Sequence, residues 1–452
     1  MSSAFKRVRH YYWFFSVFLK KNIKFLITSF VSGFFIILVL INLFPLLNTF
    51  FLKQKEIVGI AGKYTLLNPP EDVLRLISSP LITVDQNGEI QPVLAHSWET
   101  LNSGKTYRFH LKNDLYWSDK KKFTAKEIKY TLKDVDVKVI DDYTIDFNLK
   151  QALVIFPIYL TQPVIKYPLE GVGSLYSVQS YRLEKNILKT IYLSPNKPGA
   201  ALKVYKFYNT EEDLINAYKK GEITSFNTLN RTLAESFVKW KNTKIDRNVD
   251  YSQIITLFIN TRSGMLEDRD VRKALAYASP QFNNFGVPAK GPLPPTSWAY
   301  TDDVKTYTLN EERAINLLEK PLSSASASAK LKLYTFFDYA DIAEQLKRNY
   351  ENVGLKISLK ILSYIPTDFD LLLTSWTPPS DPDQYFFWHS TQQGTNITRL
   401  NNVKVDKLLE DGRRIINVKQ REKIYKDFQK TIVEEVPAYF LYHPFVYTIH
   451  RK

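Results

Sequence analysis

Between Phe25 and Leu47 the chain carries 23 residues without a charge, rich in Phe, Ile, Leu and Val. As a helix rising ~1.5 Å per residue, such a run extends about 35 Å, enough to cross a bilayer core with some tilt. Its polar members Thr28, Ser29, Ser32 and Asn42 are tolerated there far better than charges. The preceding 24 residues hold Lys6, Arg7, Arg9, Lys20, Lys21 and Lys24 and no acid. A cleaved signal peptide has a shorter apolar region, about 7–15 residues, and a small-x-small site after it, which is missing here. A buried core helix carries one apolar stripe, whereas this run is apolar on every face. An uncleaved signal anchor is therefore expected. Residues 1–24 form a basic cytoplasmic segment, 25–47 a transmembrane anchor, and the body from about residue 50 onward lies outside, in the periplasm or at the cell surface. Trp13, Phe14, Phe15 and Phe18 fit headgroup-level aromatics or an interfacial amphipathic stretch. No later run approaches the ~18 apolar residues of a second span.

Locating the charge changes what it means. The 452 residues include 61 Lys+Arg against 46 Asp+Glu, a net charge of +15. Without the six basic residues of the N-terminal segment, 55 remain against 46, an excess of +9 scattered over the outer body. Nucleic acid is not expected as a partner; a mild positive charge suits retention near anionic lipid. A hydrophobic fraction of 44% fits a globular body, and its length suggests two or three lobes. The absence of cysteine excludes disulfides, thiolate metal sites and cysteine nucleophiles. The six histidines show no metal-ligand spacing. Ser103-Gly104-Lys105-Thr106 is not a phosphate loop, because Glu99 stands where the motif requires its first glycine. Neither a Gly-x-Ser-x-Gly elbow nor a metalloprotease helix is present. No cofactor, metal or enzymatic activity is expected, and the one enzymatic alternative is a hydrolase built on carboxylates.

Local patterns outline an α/β body. Asp85-Gln86-Asn87-Gly88 between Leu81–Val84 and Ile90–Val93 is a hairpin signal. Tyr107–Leu111 alternates as a strand, and Val137–Leu149 reads as two strands around Asp141-Asp142. Thr124 and Glu127 form a capping box that predicts a helix from Phe123. Val204–Tyr208 is a strand followed by a helix capped by Thr210. Ile254–Asn260 is a β-branched strand, Asp268–Ser279 a helix facing inward through Val271, Leu275 and Ala278, and Ala314–Glu319 a short helix ending at Pro321. Ser323–Ser328 reads as a surface loop. Strand Leu331–Thr335, helix Ala340–Val353 and strand Leu355–Ile361 predict parallel pairing. Two helices, Val403–Ile416 and Gln420–Glu435, precede a last strand region, Ala438–Ile449.

Read in order, these segments resemble a known family. Pro92-Val93-Leu94-Ala95-His96-Ser97-Trp98-Glu99 ahead of Tyr107–Leu111, Trp117-Ser118-Asp119, Phe123-Thr124-Ala125 and Glu127 match its early signature. Gly171–Tyr176 is similar to its glycine-rich turn. Asn260-Thr261 with Asp270–Ala278, Gly291–Pro295 with Trp298-Ala299-Tyr300, and Trp376 with Asp381-Pro382-Asp383 follow in the family's order. The family is that of the extracellular solute-binding proteins of ABC importers, in the oligopeptide, dipeptide and nickel class (family 5), and the resemblance covers about residues 59–443.

The resemblance implies an α/β, two-lobed, periplasmic-binding-protein-like body (a type II Venus flytrap) behind one transmembrane helix. The first lobe would comprise 55–262 with the strand region 437–452, the second 263–436, with crossovers at Ile254–Asn260 and near Glu435–Tyr442. It implies a monomeric receptor that closes on a peptide or similar small solute and delivers it to ABC permease subunits. A flytrap sensor without transport is the alternative. The implied ligand-binding residues are Trp376, Ser380, Asp381, Asp383, Tyr385, Trp298, Tyr300 and Asn260. The sequence departs from the pattern in one informative place. Peptide binders commonly have an Asp three residues after the loop Trp, paired with the peptide's α-amino group, and here that residue is Pro379. Either Asp381 or Asp383 replaces it, or the ligand has no free amine there; Asp381 also fits the N-cap of a helix beginning near Pro382. Ser79-Pro80-Leu81 stands where the family has Glu-Gly-Leu. The segment after Leu132 is also short.

Overall fold

The computed structural model describes residues 3–51, 55–130, 132–324 and 330–452. The spine of the body is one long mixed sheet. One half contains Ile357–Leu362, Leu331–Phe336, Leu371–Trp376 and Ile254–Ile259, and the other Ser225–Thr228, Lys55–Ala61, Leu202–Tyr208, Ile187–Pro195 and Tyr176–Glu184. Ala438–Arg451 lies between the halves. Its early residues pair antiparallel with Ile254–Ile259 and its late ones with Ser225–Thr228 and Thr243–Val249. A four-stranded antiparallel sheet, Ala95–Leu101, Thr106–Leu111, Thr144–Leu149 and Val135–Asp141, stands apart, as does the hairpin Ile82–Val84 with Ile90–Pro92.

The cores separate in the same way. Three apolar clusters draw their buried residues from between 73 and 237 together with Tyr447 and Ile449; two draw from between 254 and 442. These are two lobes, and the chain has the mixed α/β architecture expected. Ile254–Ile259 is buried at every position, as a strand covered on both faces must be. Helices begin where short polar side chains take up free backbone N–H groups: Thr210 accepts from Asp213 N, Asp268 from Asp270 N, and Asn402 and Asn417 cap Val403–Arg414 and Val418–Glu435. Leu331–Phe336 and Ile357–Leu362 are parallel across helix Ala340–Asn352.

Two local expectations are corrected. The helix expected from Phe123 is only the 3-10 turn Ala125–Glu127, and Thr124 makes no side-chain cap. Glu127 is drawn elsewhere: it accepts from Trp117 Nε1, and Lys166 Nζ lies 3.3 Å away. Helix Glu311–Ser324 does not end before Pro321 but runs through it. Pro321 lacks the N–H that would reach back to the carbonyl of Leu317, and Leu322 beyond it packs on the core. Of the Ser/Ala run, Ser323 and Ser324 belong to this helix, and 325–328 lie outside the described residues.

Helix Ser3–Phe51 precedes the body. Among the described residues no single helix is long and apolar enough to cross a membrane; Tyr12–Phe25 and Ile27–Val39, bent by 58°, meet the criterion only as a pair. At the bend the Thr28 hydroxyl donates to the carbonyls of Lys24 and Phe25, the back-bonding that bends helices.

At the junction of the lobes His443 is buried, its Nδ1 lies 2.9 Å from the carbonyl of Gln253, and its ring meets Tyr251 edge-on at 5.1 Å. Burial pushes its pKa below the ordinary value, against the opposing pull of the Gln253 carbonyl and Asp250. The unfolded chain therefore binds a proton that the folded chain refuses. The contribution to stability is whole above about pH 6.5 and falls as pH drops through the depressed value. Melting temperatures at pH 7, 6 and 5 should decline, and His443→Asn, which keeps a donor for Gln253, should flatten that decline.

Candidate functional site

The loop that should carry the site follows strand Leu371–Trp376, whose last residue pairs with Ile254. Trp376 itself is core. It is 8% exposed and packs within 5.7–6.3 Å of Phe387, Trp388, Phe440 and Phe258, ring centre to ring centre. The chain then turns through 377–384 into the short helix Tyr385–Trp388. Gln384, fully buried, braces this turn by donating to the Pro292 carbonyl (2.8 Å) and accepting from Trp388 Nε1 (2.7 Å).

The two carboxylates of the loop each meet an arginine, and Asp381 Oδ2 is left buried without a hydrogen-bond partner. Asp381 Oδ1 accepts from Arg421 Nη2 at 2.8 Å and from Asp383 N at 2.9 Å, both side chains being almost wholly buried. Burial raises the Asp381 pKa, more than the Arg421 charge lowers it. Asp381 does not cap a helix, since Gln384 precedes Tyr385–Trp388 and gives it no side-chain cap. Asp383 receives Arg413 Nε on both oxygens (3.1 and 2.9 Å) and the Tyr159 hydroxyl at 2.8 Å. Arg413 Nη2 also donates to the Tyr159 oxygen at 3.1 Å, and its guanidinium lies 3.9 Å from the Tyr385 ring centre. Tyr159 stands on the 3-10 turn Phe156–Leu160 of the opposite lobe. Burial first, and Asp383 second, hold its hydroxyl well above the ordinary tyrosine range.

A second contact bridges the lobes. Trp298 rests on Gly88 of the Asp85–Gly88 turn so closely that a Cβ there would fall 2.6 Å from the indole. Gly88 has φ +82°, so the position favours glycine on both counts. Asp85 holds the turn by accepting from Asn87 N, Glu89 N and Gln91 Nε2 at 2.8–3.0 Å. Behind Trp298 the Arg421 guanidinium lies 5.2 Å from the ring centre, and Tyr425 meets it edge-on.

These contacts leave two spaces between the lobes. One, of about 530 Å³, is bounded by Ser79, Thr83, Thr161, Ser297, Trp298 and Ser380. The other, of about 750 Å³, is bounded by Phe156, Tyr159, Tyr385, Phe386 and Arg413. Of the expected ligand residues, Trp298 and Ser380 reach the first space and Tyr385 the second. Asp383 lies in the bridge between lobes, while Asp381 and Trp376 support it from within. Tyr300 lines neither space, and Asn260 is not brought to the site. It lies at the far end of strand Ile254–Ile259 from Trp376, about 20 Å away at the usual strand rise. There its amide donates to the Phe369 carbonyl (2.9 Å) and accepts from Arg262 N (3.1 Å). Sequence reasoning missed Tyr159, Arg413, Arg421 and Gly88. Only Gly88 carried a signal, as the hairpin glycine.

Both bridges should bias the lobes toward closure. Tyr159→Phe removes the hydroxyl's hydrogen bond to Asp383 and the one it accepts from Arg413, while leaving Asp383 paired with Arg413. It should lower the closed-to-open ratio about 5- to 10-fold, equivalent to ~1–1.4 kcal/mol. Gly88→Ala should lower it further by wedging Trp298 outward. The chain has no cysteine of its own, so a pair of introduced spin labels, one per lobe, measures the distance distribution directly.

Comparison with known proteins agrees with this geometry. The model for the middle region of the bacterial extracellular solute-binding proteins, family 5, matches residues 89–397. The oligopeptide-binding protein AppA of Bacillus subtilis is 24% identical over 86% of each chain, and the dipeptide-binding protein of Escherichia coli 22% identical over 80% of this chain and 83% of its own. Among solved structures, NikZ from Campylobacter jejuni in complex with Ni(L-His) superposes with a TM-score of 0.70 at 21% identity, covering 88% of this chain and 94% of that one. AppA in complex with a nonapeptide gives 0.68 at 21% identity, with the same coverage. The chain belongs to the bacterial extracellular solute-binding proteins of family 5.

Proposed function

We propose that this protein is a monomeric, membrane-anchored receptor that captures a peptide or peptide-like solute between its lobes and hands it to the permease of an ABC importer. The reading rests on one observation above the others: two lobes of this family meet through Tyr159–Asp383–Arg413 and Trp298–Gly88 around spaces of about 530 and 750 Å³. A peptide held there would be gripped through its backbone, with Trp298 and Tyr385 adding aromatic walls. We place the lobe boundaries at 55–262 with 437–452, and at 263–436. Trp298, Ser380 and Tyr385 are the proposed contacts, with Asp383 acting through closure.

The anchor forms part of the same proposal. Phe25, Phe30 and Phe35 are 73%, 77% and 67% exposed on the leading helix. That is a costly arrangement in water and a favourable one in lipid. With the basic residues preceding it, residues 1–24 would face the cytoplasm and the body would stand outside.

Melting the full chain in detergent against peptide pools tests the capture. A peptide present at 100 times its Kd adds ~2.7 kcal/mol of stability, a shift of several degrees; no shift with any pool sinks the peptide reading. The anchor predicts that the chain stays with membranes through alkaline carbonate washing and that removing residues 3–51 releases it.

A further inference from the structure

Positive charge that is scattered along the sequence is gathered by the fold at one end of the first lobe. Strand Lys55–Ala61 enters the sheet beside Leu202, the first residue of the parallel strand Leu202–Tyr208. Ser225–Thr228 runs the same way, and Ala438–Arg451 runs against it, so the last strand finishes at this end. Thr243, opening Thr243–Val249, stands beside Arg451. Helix Glu211–Lys220 returns here too, since a Cβ on Gly221 would lie 3.6 Å from Arg451 Nη2. Lys55 opens its strand, Lys197 lies in the turn before Leu202, Lys219 and Lys220 end the helix, and Lys239 and Lys241 flank Trp240 in the turn before Thr243. These lysines are exposed and form no ion pair among the described residues. Of the acids beside them, Glu56 is held by Lys203 at 2.8 Å, and Asp246 by Lys244 at 2.8 Å and His450 at 2.7 Å, which leaves Glu222 to offset the cluster. Val238 is 69% and Trp240 36% exposed among the lysines, the indole stacked at 5.1 Å on Phe237. Basic residues interleaved with an exposed aromatic and an aliphatic side chain suit the headgroup level of an anionic bilayer.

The covalent path leads to the same place. Helix Ser3–Phe51 carries the chain four residues beyond Leu47, the end of the apolar run, a rise of ~6 Å. From Phe51 to Lys55 the backbone can reach at most ~14 Å. Lys55 is therefore within ~20 Å of the hydrocarbon edge if the helix is the anchor, and headgroups fill about 5–8 Å of that distance. The remainder is under two Debye lengths at physiological salt, each about 8 Å. On the reading that the leading helix spans the membrane, we infer that this basic end of the first lobe rests on anionic phospholipid headgroups. The lysines bind the lipid phosphates, and Trp240 and Val238 dip into the interface. Ala438–Arg451 runs from the second lobe to this end, so the second lobe stands away from the bilayer, with the interlobe spaces open to solute.

The test uses the full chain reconstituted into vesicles of phosphatidylcholine alone or with about one-third phosphatidylglycerol. As the chain has no cysteine, Asn242→Cys places one fluorophore at the basic end and Tyr364→Cys one on the second lobe, each read by quenching from headgroup spin-labelled lipid. Quenching should be strong at position 242 in the anionic vesicles, weaker in the neutral ones, and slight at 364. Lys239→Glu with Lys241→Glu should lower the bound-to-free ratio at least ~10-fold. Raising salt from about 0.1 to 1 M, which cuts the screening length from about 10 to 3 Å, should do the same to the unmodified surface. A chain that floats with both kinds of vesicle but shows no quenching at 242, or equal quenching in both, overturns the inference and leaves the anchor standing. Equal quenching at 242 and 364 overturns the orientation. A chain that floats with neither overturns the anchor and the inference together.

Discussion

One strand belongs to both lobes, and the rest of the arrangement depends on it. Ala438–Arg451 pairs with Ile254–Ile259 and Gly286–Pro288 at one end and with Ser225–Thr228 and Thr243–Val249 at the other. At its middle stands Pro444, which has no N–H to offer the ladder and so weakens pairing where the lobes part. Its carbonyl takes Asp250 N at 2.9 Å, and the neighbouring His443 reaches the Gln253 carbonyl, so the chain entering Ile254–Ile259 is tied to the strand beside it. Close packing at this point is strict, because a Cβ on Gly286 would lie 2.0 Å from the His443 carbonyl oxygen. If the lobes rotate, a strand shared in this way would set the axis and leave the angle to the contacts at the lobes' rims.

Those rim contacts are arranged in relay. Asp381 and Arg421 form a buried pair in which the guanidinium and the backbone N–H of Asp383 offset part of the cost of burying the carboxylate, whose other oxygen has no partner. Arg421 in turn backs Trp298, which bears on Gly88 across the gap. One residue further along the loop from Pro382, Asp383 repeats the device with Arg413, but here the third partner, Tyr159, belongs to the other lobe. The same short loop therefore anchors both closing contacts. Shifting it would change both at once, so that on the proposed capture of a ligand a small displacement there would turn whole lobes.

Much of this fold is legible in the sequence because its elements are locally consistent. Thr210, Asp268 and the Asp85–Gly88 turn do what their residue types favour anywhere, and the apolar runs Ile254–Ile259 and Leu371–Trp376 pair as buried strands. Reading failed where a distant partner outbid a local preference. Glu127 should close a capping box but is taken by Trp117 and Lys166. The site was half legible for the same reason. Its loop residues lie within a recognisable motif, whereas Arg413 meets Tyr159 across 254 positions of sequence. Nothing in the neighbourhood of either residue announces that contact. Trp376, the loop's most conspicuous residue, proved to be packing, since a large ring at the end of a buried strand is more useful filling the core than lining a wall.

The closing contacts also bear on what the proposed anchor would achieve. Tyr159–Asp383 and Trp298–Gly88 favour closure by themselves, so a ligand need supply only the remainder of the driving energy, and its apparent affinity depends on how often the unliganded lobes open. A free receptor with such a bias risks presenting an empty closed form to its permease. A tethered receptor is held at an effective concentration of order millimolar near partners in the same membrane. It can therefore meet the permease repeatedly and rely on weak docking that discriminates loaded from empty through the contacts made, rather than on tight capture from solution. Beside a membrane, the scattered +9 of the body would work in the same direction, drawing the lobes toward an anionic surface over a Debye length of about 8 Å at physiological salt. On the proposed anchoring, the rim contacts and the N-terminal helix would be parts of one arrangement: the first would make closure cheap, and the second would make frequent, reversible docking sufficient.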